Sequence, residues 1–287
     1  MNGIKKTFLI NLDKDKNRLK NVSNELQKQK VNFTRIAGIN GKELSNCELK
    51  KNTTLFCKLF CTRGTIGCAM SHKKVLNEIV NSKDLDDKDK ILILEDDVKL
   101  HDNFRNLLQK VLKSTPKDCD VLYIGYFLSN YNNEYNNFIK LCHMLLGCHF
   151  KSQKQVNEYI YEPKCPMATH GYIVTKKGAR KLLENINNTK IYYHIDAMMK
   201  NYYLNPDSNI KVYASNPILV RQDRISSKSN IIDSEYPHLI YNYFNKYKTE
   251  WDLSYGDILF SPSFQILGIP VHAVNIIFFI LFTSIVI

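Results

Sequence analysis

The sequence predicts an α/β protein with a parallel or mixed sheet, because strand-like and helix-like patterns alternate along most of its 287 residues. Three observations lead to this prediction. A short, mainly apolar strand pattern occupies residues 6–11, and a helix pattern follows it, in which Leu19, Val22 and Leu26 recur at spacings of three and four. Residues 91–94 are then an apolar run without alternation, which is typical of a central strand covered on both faces.

The remaining elements continue the same alternation. Further strands are expected at residues 31–36, 120–125 and 170–174, and further helices at residues 67–80, 104–112 and 179–185. Residues 128–160 are rich in Asn, Tyr, Lys and Gln, and we interpret them as a variable insertion or active-site flap.

The charge of the chain favours an anionic partner. Lys and Arg number 40 against 28 Asp and Glu, so the formal net charge is +12. The basic residues are scattered and form no continuous basic arm or basic helix. We therefore expect a phosphorylated substrate or an acidic membrane surface, and no nucleic acid, as the partner.

The cysteines and the N-terminus predict a cytoplasmic protein. None of the eight cysteines forms a CxxC pair, which argues against a zinc ribbon or a thioredoxin-type motif. The apolar run at residues 7–10 is shorter than the ~7–15 residues of a signal-peptide core. Reduced thiols are the expectation for such a chain.

The C-terminal segment differs from the rest of the chain. After Asp257 there is no charged side chain, and residues 266–287 are mostly apolar, close to the ~20 residues that cross a bilayer as a helix. We divide the chain into a catalytic domain at residues 1–260 and an apolar tail at residues 261–287. The tail is predicted to contact a membrane, and a buried terminal helix or strand is the alternative.

An acidic triplet directly follows the predicted central strand. Glu95, Asp96 and Asp97 are adjacent carboxylates, which repel one another unless a cation or hydrogen-bond donors compensate them. Open α/β sheets bind ligands beyond the carboxyl ends of their strands, and oxygen-only ligands favour Mg²⁺ or Mn²⁺ over zinc. Spacing alone leaves a metal site and an ordinary acidic turn open. The same pattern also occurs in phosphatases, nucleases and receiver-type domains.

Five segments, in order, resemble glycosyltransferase family 25, which includes lipooligosaccharide galactosyltransferases and the collagen hydroxylysine galactosyltransferases. They are residues 8–13 (FLINLD, with Arg18 following), 36–44 (IAGINGKEL), 67–72 (GCAMSH), 92–98 (LILEDDV) and 170–174 (HGYIV, with GARKLL at 178–183). Each segment is weak by itself, and their common order makes the resemblance specific.

The resemblance implies a GT-A type fold, with a Rossmann-like mixed sheet flanked by helices. It also implies a UDP-sugar donor (galactose first, glucose second), Mn²⁺ or Mg²⁺ as cofactor, and inversion at the anomeric carbon. The acceptor would be a hydroxyl of a glycan, a lipid-linked sugar or a hydroxylysine. Within this interpretation Asp97 and Glu95 belong to the metal site, where Glu95 contacts either ribose or a metal-bound water, and Asp96 belongs to the nucleotide site.

Other candidate site residues each have a structural alternative. The family often has an Asp near Asp196, which is our candidate for the base; the alternative is a helix N-cap. Asn11 and Asp13 are candidates for uridine or ribose, or else form the turn before the next helix. Arg18 is a candidate for the pyrophosphate, or lies on a solvated helix face. Gln222, late in the chain, is a candidate to close over a phosphate, or is a solvated surface residue.

The family-like GCAMSH segment contains three further polar side chains. Ser71 and His72 either orient a substrate group or pack structurally. Cys68 is interpreted as a small buried residue rather than a nucleophile, because no activating partner can be identified in the sequence.

Two positions depart from the family pattern. Thr65 stands where relatives commonly have Glu, and Asn230 stands where they have an acid within a Ser-Asp-Ile sequence. Three functions are therefore compared: a metal-dependent hexosyltransferase, a non-catalytic nucleotide-sugar-binding relative, and a metal-dependent phosphoryl-transfer enzyme.

Overall fold

The computed structural model describes residues 3–127, 148, 152–223, 262–266 and 269–272. The helices are α1 (Lys16–Lys28), α2 (Asn46–Asn52), α3 (Leu55–Phe60), α4 (Arg63–Asn81), α5 (Phe104–Ser114), α6 (Lys176–Thr189) and α7 (Ile195–Leu204). The strands are β1 (Lys6–Asn11), β2 (Thr34–Ala37), β3 (Lys90–Glu95), β4 (Val98–Leu100), β5 (Val121–Phe127), β6 (Lys154–Asn157), β7 (Ile160–Glu162), β8 (Met167–Thr175), β9 (Val212–Ser215), β10 (Val220–Gln222), β11 (Pro262–Ile266) and β12 (Ile269–His272).

The central element is an eight-stranded mixed sheet with the order β2-β1-β3-β8-β5-β9-β7-β6. Strand β1 pairs in parallel with both β2 and β3, whereas β8 runs antiparallel between β3 and β5. Strand β9 continues parallel to β5, and the short strands β7 and β6 are antiparallel additions at the edge. The sequence prediction of a Rossmann-like mixed sheet flanked by helices, as in GT-A type folds, is confirmed.

Strand β3 explains why the acidic triplet is held so firmly. Its apolar residues are fully buried, and successive side chains enter opposite cores: Ile91 and Ile93 join one, Leu92 and Leu94 the other. Helices α4, α6 and α7 supply the first core, while α1 and α5 supply the second. The non-alternating run is therefore a strand covered on both faces, as predicted.

Local capping signals account for two differences from the sequence prediction. Helix α4 begins at Arg63 rather than at residue 67, because the Thr62 side chain accepts a hydrogen bond from the Thr65 amide. The short helices α2 and α3 were missed. Helix α2 begins with a capping box between Ser45 and Glu48, a sequence pattern that could have identified it.

The expectation of reduced thiols is wrong for four cysteines. Cys57, in α3, pairs with Cys61, the C-cap residue of that helix, and Cys148 pairs with Cys165 at a Cα–Cα distance of 5.6 Å. The first pair is close in sequence, and the second is brought together by tertiary structure that spacing does not reveal. Among the described residues the free cysteines are Cys47, Cys68 and Cys119.

The membrane and flap predictions fall largely outside the described residues. The start of the apolar C-terminal run belongs to the antiparallel pair β11–β12, while residues 273–287 are not described. Within the described part of the chain, none of the helices is both long and apolar enough to cross a bilayer. Most of the predicted flap, residues 128–147 and 149–151, and position 230 are likewise not described.

Two glycines fix the approach of α4 to the loop after β2. A Cβ at Gly67 would lie 2.6 Å from the Gly41 amide nitrogen and 2.6 Å from the Ile39 carbonyl oxygen, both backbone atoms. A Cβ at Gly41 would lie 1.7 Å from the Arg63 carbonyl oxygen. Gly67 of the GCAMSH segment and Gly41 of the IAGINGKEL segment therefore let α4 bring its polar residues up to the sheet edge.

We predict that Gly67→Ala lowers the free energy of unfolding by about 1–3 kcal/mol, because backbone must move to admit the methyl group. Gly38→Ala is the control, since its nearest new contact, 3.1 Å to Leu12 Cδ2, is with a flexible side chain. Urea unfolding midpoints measure both. Equal loss in the two variants would contradict the backbone contact as the cause.

Candidate active site

The candidate site lies at the carboxyl ends of the parallel strands β1 and β3. Asn11 ends β1, Glu95 ends β3, and Asp96 and Asp97 form the turn between β3 and β4. These residues line one cleft, whose other walls come from α1, α4, the loop after β2, and β10. The lining residues are Ile10, Asn11, Leu12, Lys14, Arg18, Asn40, Gly41, Lys42, Gly64, Cys68, Ser71, His72, Glu95, Asp96, Asp97 and Gln222.

Asp96 is held by an amide and a guanidinium. Its Oδ2 accepts a hydrogen bond from Asn11 Nδ2 at 2.6 Å, and its Oδ1 lies 2.5 Å from Arg18 Nη2. Burial raises the pKa of Asp96. The charge of Arg18 and the hydrogen bond from Asn11 lower it, whereas the negative charges of Asp97 and Glu95 raise it. The resulting pKa of Asp96 is about 7. The carboxyl group is therefore incompletely compensated by the positive charge beside it.

Asp97 shares the same guanidinium. Its Oδ2 lies 2.9 Å from Arg18 Nη2 and accepts a hydrogen bond from Gln222 Nε2 at 2.8 Å. Gln222 reaches the site because β10 pairs with β4, opposite Val98, across a large gap in sequence. Asp96 and Asp97 thus converge on a single cation, the Arg18 side chain.

Glu95 is held separately from this pair. Its Oε1 accepts a hydrogen bond from Thr169 Oγ1 at 2.8 Å and lies 3.2 Å from His72 Nε2. Burial by itself would raise the pKa of Glu95, but the hydrogen bonds from His72 and Thr169, together with the positive charge of His72, lower it well below its usual range. Glu95 is thus ionised and tied to α4 and β8, not to Arg18.

The structure brings most of the predicted site residues together. Asn11, Arg18 and Gln222 surround Asp96 and Asp97. The alternative of a solvated helix face is wrong for Arg18, whose side chain is only 16% exposed.

Asp13 is one of the two predicted site residues that lie apart from this cluster. It is 78% exposed and pairs with Arg35, whose guanidinium also donates to Asn11 Oδ1. A role of Asp13 in binding uridine or ribose stays a prediction.

Asp196 is the second predicted site residue that lies apart from this cluster, and it is in the first turn of α7. The N-cap is His194, so the N-cap alternative for Asp196 is wrong by position. The Asp196 carboxylate accepts hydrogen bonds from the amides of Ala168 and Ala197. Ala168 has φ +78°, a left-handed conformation that costs an L-residue free energy. Asp196 therefore has a structural task at the start of β8, and its role as a base stays a prediction.

The sequence analysis missed, or only partly identified, three polar residues that contribute to the site. Thr169, which holds Glu95, belongs to β8 and carries no sequence signal of its own. Lys14 and Lys42 are exposed side chains that line the cleft and give it positive charge. Lys42 lies within the GINGKEL segment, which could have drawn attention to it.

The carboxylates suit a hard divalent cation. Asp96 and Asp97 already converge on one positive group, and the pKa of Asp96 remains raised despite Arg18. Oxygen donors of this kind are those that Mg²⁺ and Mn²⁺ prefer. The residues therefore fit such an ion, with Glu95 close enough to influence the Asp96 charge.

The Cys68 thiol has none of the character of a nucleophile. Burial raises its pKa well above the ordinary value, and the negative charges of Glu95 and Asp196 add to the effect. The interpretation of Cys68 as an unactivated residue agrees with this environment.

The comparisons with known proteins all indicate the same class of protein. The profile of glycosyltransferase family 25 (LPS biosynthesis protein) matches residues 4–199. Procollagen galactosyltransferase 2 of Homo sapiens is 22% identical over 276 residues, covering 88% of this chain and 40% of the relative. A putative glycosyltransferase of Haemophilus influenzae is 27% identical over 239 residues, covering 81% of this chain and 76% of the relative.

A third relative matches a shorter stretch. The procollagen lysyl hydroxylase and glycosyltransferase of Acanthamoeba polyphaga mimivirus is 32% identical over 134 residues, which cover 42% of this chain and 15% of the relative. This chain therefore spans well under half the length of the human and viral relatives.

We predict that Arg18→Gln lowers the free energy of unfolding by about 2–4 kcal/mol in EDTA, because Asp96 and Asp97 lose their shared positive charge. Mn²⁺ should raise the melting temperature of this variant more than that of the parent, since the ion would supply the missing charge. Arg180→Gln is the control, because its partner Asp87 is exposed and the pair is expected to contribute little. An equal Mn²⁺ shift in Arg18→Gln and the parent would contradict a cation site at these carboxylates.

Proposed function

This chain belongs to glycosyltransferase family 25, and on that premise we propose that it transfers a hexose, galactose first, from a UDP-sugar to an acceptor hydroxyl with inversion at the anomeric carbon. The observation on which the proposal depends is the convergence of Asp96 and Asp97 on one cation at the end of β3. Three of the other four motif segments, at residues 8–13, 36–44 and 67–72, line the same cleft, whereas a phosphoryl-transfer enzyme would account for the acidic triplet alone.

The positive side chains of the cleft support an anionic donor. Lys14 and Lys42 are exposed within it and suit the diphosphate of a nucleotide sugar. Arg18 retains donor capacity, because its Nε is buried without a hydrogen-bond partner in the described structure. An arginine with an unused donor beside two lysines is a suitable partner for phosphate oxygens.

Asp97 and Glu95 remain the candidate ligands of Mn²⁺ or Mg²⁺ from the sequence, and we add Asp96, which the sequence analysis assigned to the nucleotide, because it shares Arg18 with Asp97. A bound divalent ion supplies neutralisation of the charge that develops on the departing UDP, an effect of several kcal/mol. The amides of Asn11 and Gln222 each fix one carboxylate by a hydrogen bond, so the oxygens are oriented before any ligand arrives.

The acceptor hydroxyl needs a base on the opposite face of the sugar. Asp196 is our candidate, and it lies within electrostatic reach of Cys68, which lines the cleft. A positioned base typically contributes ~10²–10⁴-fold to the rate. The acceptor class includes a glycan, a lipid-linked sugar and a hydroxylysine.

A non-catalytic nucleotide-sugar-binding protein is the second candidate, and Thr65 favours it. Thr65 is buried, and its hydroxyl lies 2.9 Å from that of Thr62 and 3.5 Å from His194 Nε2. The carboxylate that relatives commonly have at this position is thus replaced by a hydroxyl that contacts the side chain of Thr62, the N-cap residue of α4. Binding of UDP with Mn²⁺ but no UDP release from any UDP-hexose would select this second function.

We predict that Asp97→Asn lowers the turnover of UDP-galactose at least ~10²-fold, about 2.7 kcal/mol of barrier. The change keeps the side-chain shape but removes the charge that holds the cation. UDP release with Mn²⁺, and with EDTA in its place, is the measurement, and the exposed Asp87→Asn is the matched control. Turnover near that of the control would remove Asp97 from the chemistry.

We predict that Asp196→Asn reduces kcat about 10²-fold or more while UDP affinity stays within about 2-fold, if its carboxylate takes the acceptor proton. Asn retains one acceptor oxygen for the Ala168 amide, so the fold should persist. Calorimetry with UDP and steady-state kinetics separate the two quantities. A fall in melting temperature with unchanged kcat would assign Asp196 to holding the backbone alone.

A further inference from the structure

One cluster in the cleft wall has no joint role in the proposed transfer reaction. Cys68, His72 and Glu95 each offer one metal-ligating atom, and these three atoms all lie within 4.8 Å of one another. All three residues line the cleft, so a small ion can reach them.

Helix geometry and glycine packing bring the cluster together. Cys68 and His72 are four residues apart on α4, so they project from the same helix face. The contact of Gly67 with Gly41 presses this part of α4 towards the sheet edge, where Glu95 ends β3.

The imidazole and the carboxylate are both oriented by outer partners. His72 Nδ1 lies 3.1 Å from the Tyr172 hydroxyl, which leaves Nε2 facing Glu95 at 3.2 Å. Thr169 Oγ1 donates to the same carboxylate at 2.8 Å. Metal-binding histidines are usually fixed in this way through their second nitrogen.

We propose that Cys68, His72 and Glu95 form a site for a thiophilic divalent cation of the Zn²⁺ class, with its fourth position open to the cleft. Sulfur, imidazole and carboxylate together are the donor set of zinc, whereas Asp96 and Asp97 offer oxygen alone. Zinc bonds of about 2.0–2.3 Å separate neighbouring ligands by about 3–4 Å, so Nε2 and Oε1 already have a suitable spacing. The Cys68 sulfur lies within 4.8 Å of both atoms.

Binding at this site is a simple exchange. The Cys68 thiol and His72 Nε2, which is hydrogen-bonded to Glu95, each release one proton to solvent as the sulfur–metal and nitrogen–metal bonds form, and no electron is transferred. Zn²⁺ here occupies Glu95 beside the proposed donor site. Micromolar zinc is therefore a candidate inhibitor, and the binding itself does not depend on the proposed transferase activity.

Cobalt(II) is the probe that tests the site, because a thiolate ligand gives it a charge-transfer absorption band in the near ultraviolet. The full chain should show this band, and Cys68→Ser should abolish it. Cys47→Ser and Cys119→Ser, which alter the other free cysteines of the described residues, should retain it. By calorimetry, Tyr172→Phe should weaken Zn²⁺ binding about 10-fold through its effect on His72.

Two results would overturn the proposal: no band in the parent chain, or a band that persists in Cys68→Ser. Far-ultraviolet circular dichroism checks that each variant is folded. If Cys68→Ser is unfolded, His72→Gln replaces it as the test, because this variant keeps the thiol. Unchanged Zn²⁺ affinity in His72→Gln would equally refute the site. If the parent chain shows the cobalt band but no Mn²⁺-dependent turnover, the proposed transferase mechanism is refuted and the zinc site is not.

Discussion

The site depends on three adjacent carboxylates, two of them buried and Glu95 partly buried, at the end of a strand whose apolar residues are fully buried. Such a cluster is unfavourable unless each charge is met by a donor. The protein compensates the negative charges of the three carboxylates with two separate sets of partners. Arg18 serves Asp96 and Asp97 together, and the α4 and β8 side chains serve Glu95. Most of the family-like segments contribute to one of these sets, so the motif residues can be understood as the groups that make the triplet tolerable.

The fold was predictable where a single physical rule decides it. A non-alternating apolar run must be covered on both faces, and β3 is. The carboxyl ends of neighbouring parallel strands share one edge, which places Asn11 beside Asp96. The partners from distant elements could not be placed in this way. Gln222 arrives through a three-residue strand pairing, and the rotation of Glu95 towards His72 follows from α4 packing that no spacing rule describes.

Arg18 shows how one residue can satisfy two interpretations. The sequence suggested that it contacts a pyrophosphate, and the structure shows it neutralising Asp96 and Asp97. These roles are compatible under the proposed function. A guanidinium compensates the carboxylates when no other cation is present, and a divalent ion at the same oxygens would release it. The buried Nε without a hydrogen-bond partner then has phosphate oxygens to donate to, so cation and donor would favour each other's binding.

The same separation of partners gives the two proposed cation sites different donor atoms. Asp96 and Asp97 present oxygens oriented by amides, which suit a hard ion. Glu95 is turned away from them, towards sulfur and imidazole, a set that suits a softer ion. Because Glu95 also influences the charge of Asp96, the two proposed sites would not be electrostatically independent. Under the two proposals, a cation at either site would lower the cost of ionising the neighbouring carboxylate and would also repel a second cation. Arg18 would then set the balance between the two sites, because its guanidinium competes with a cation for Asp96 and Asp97.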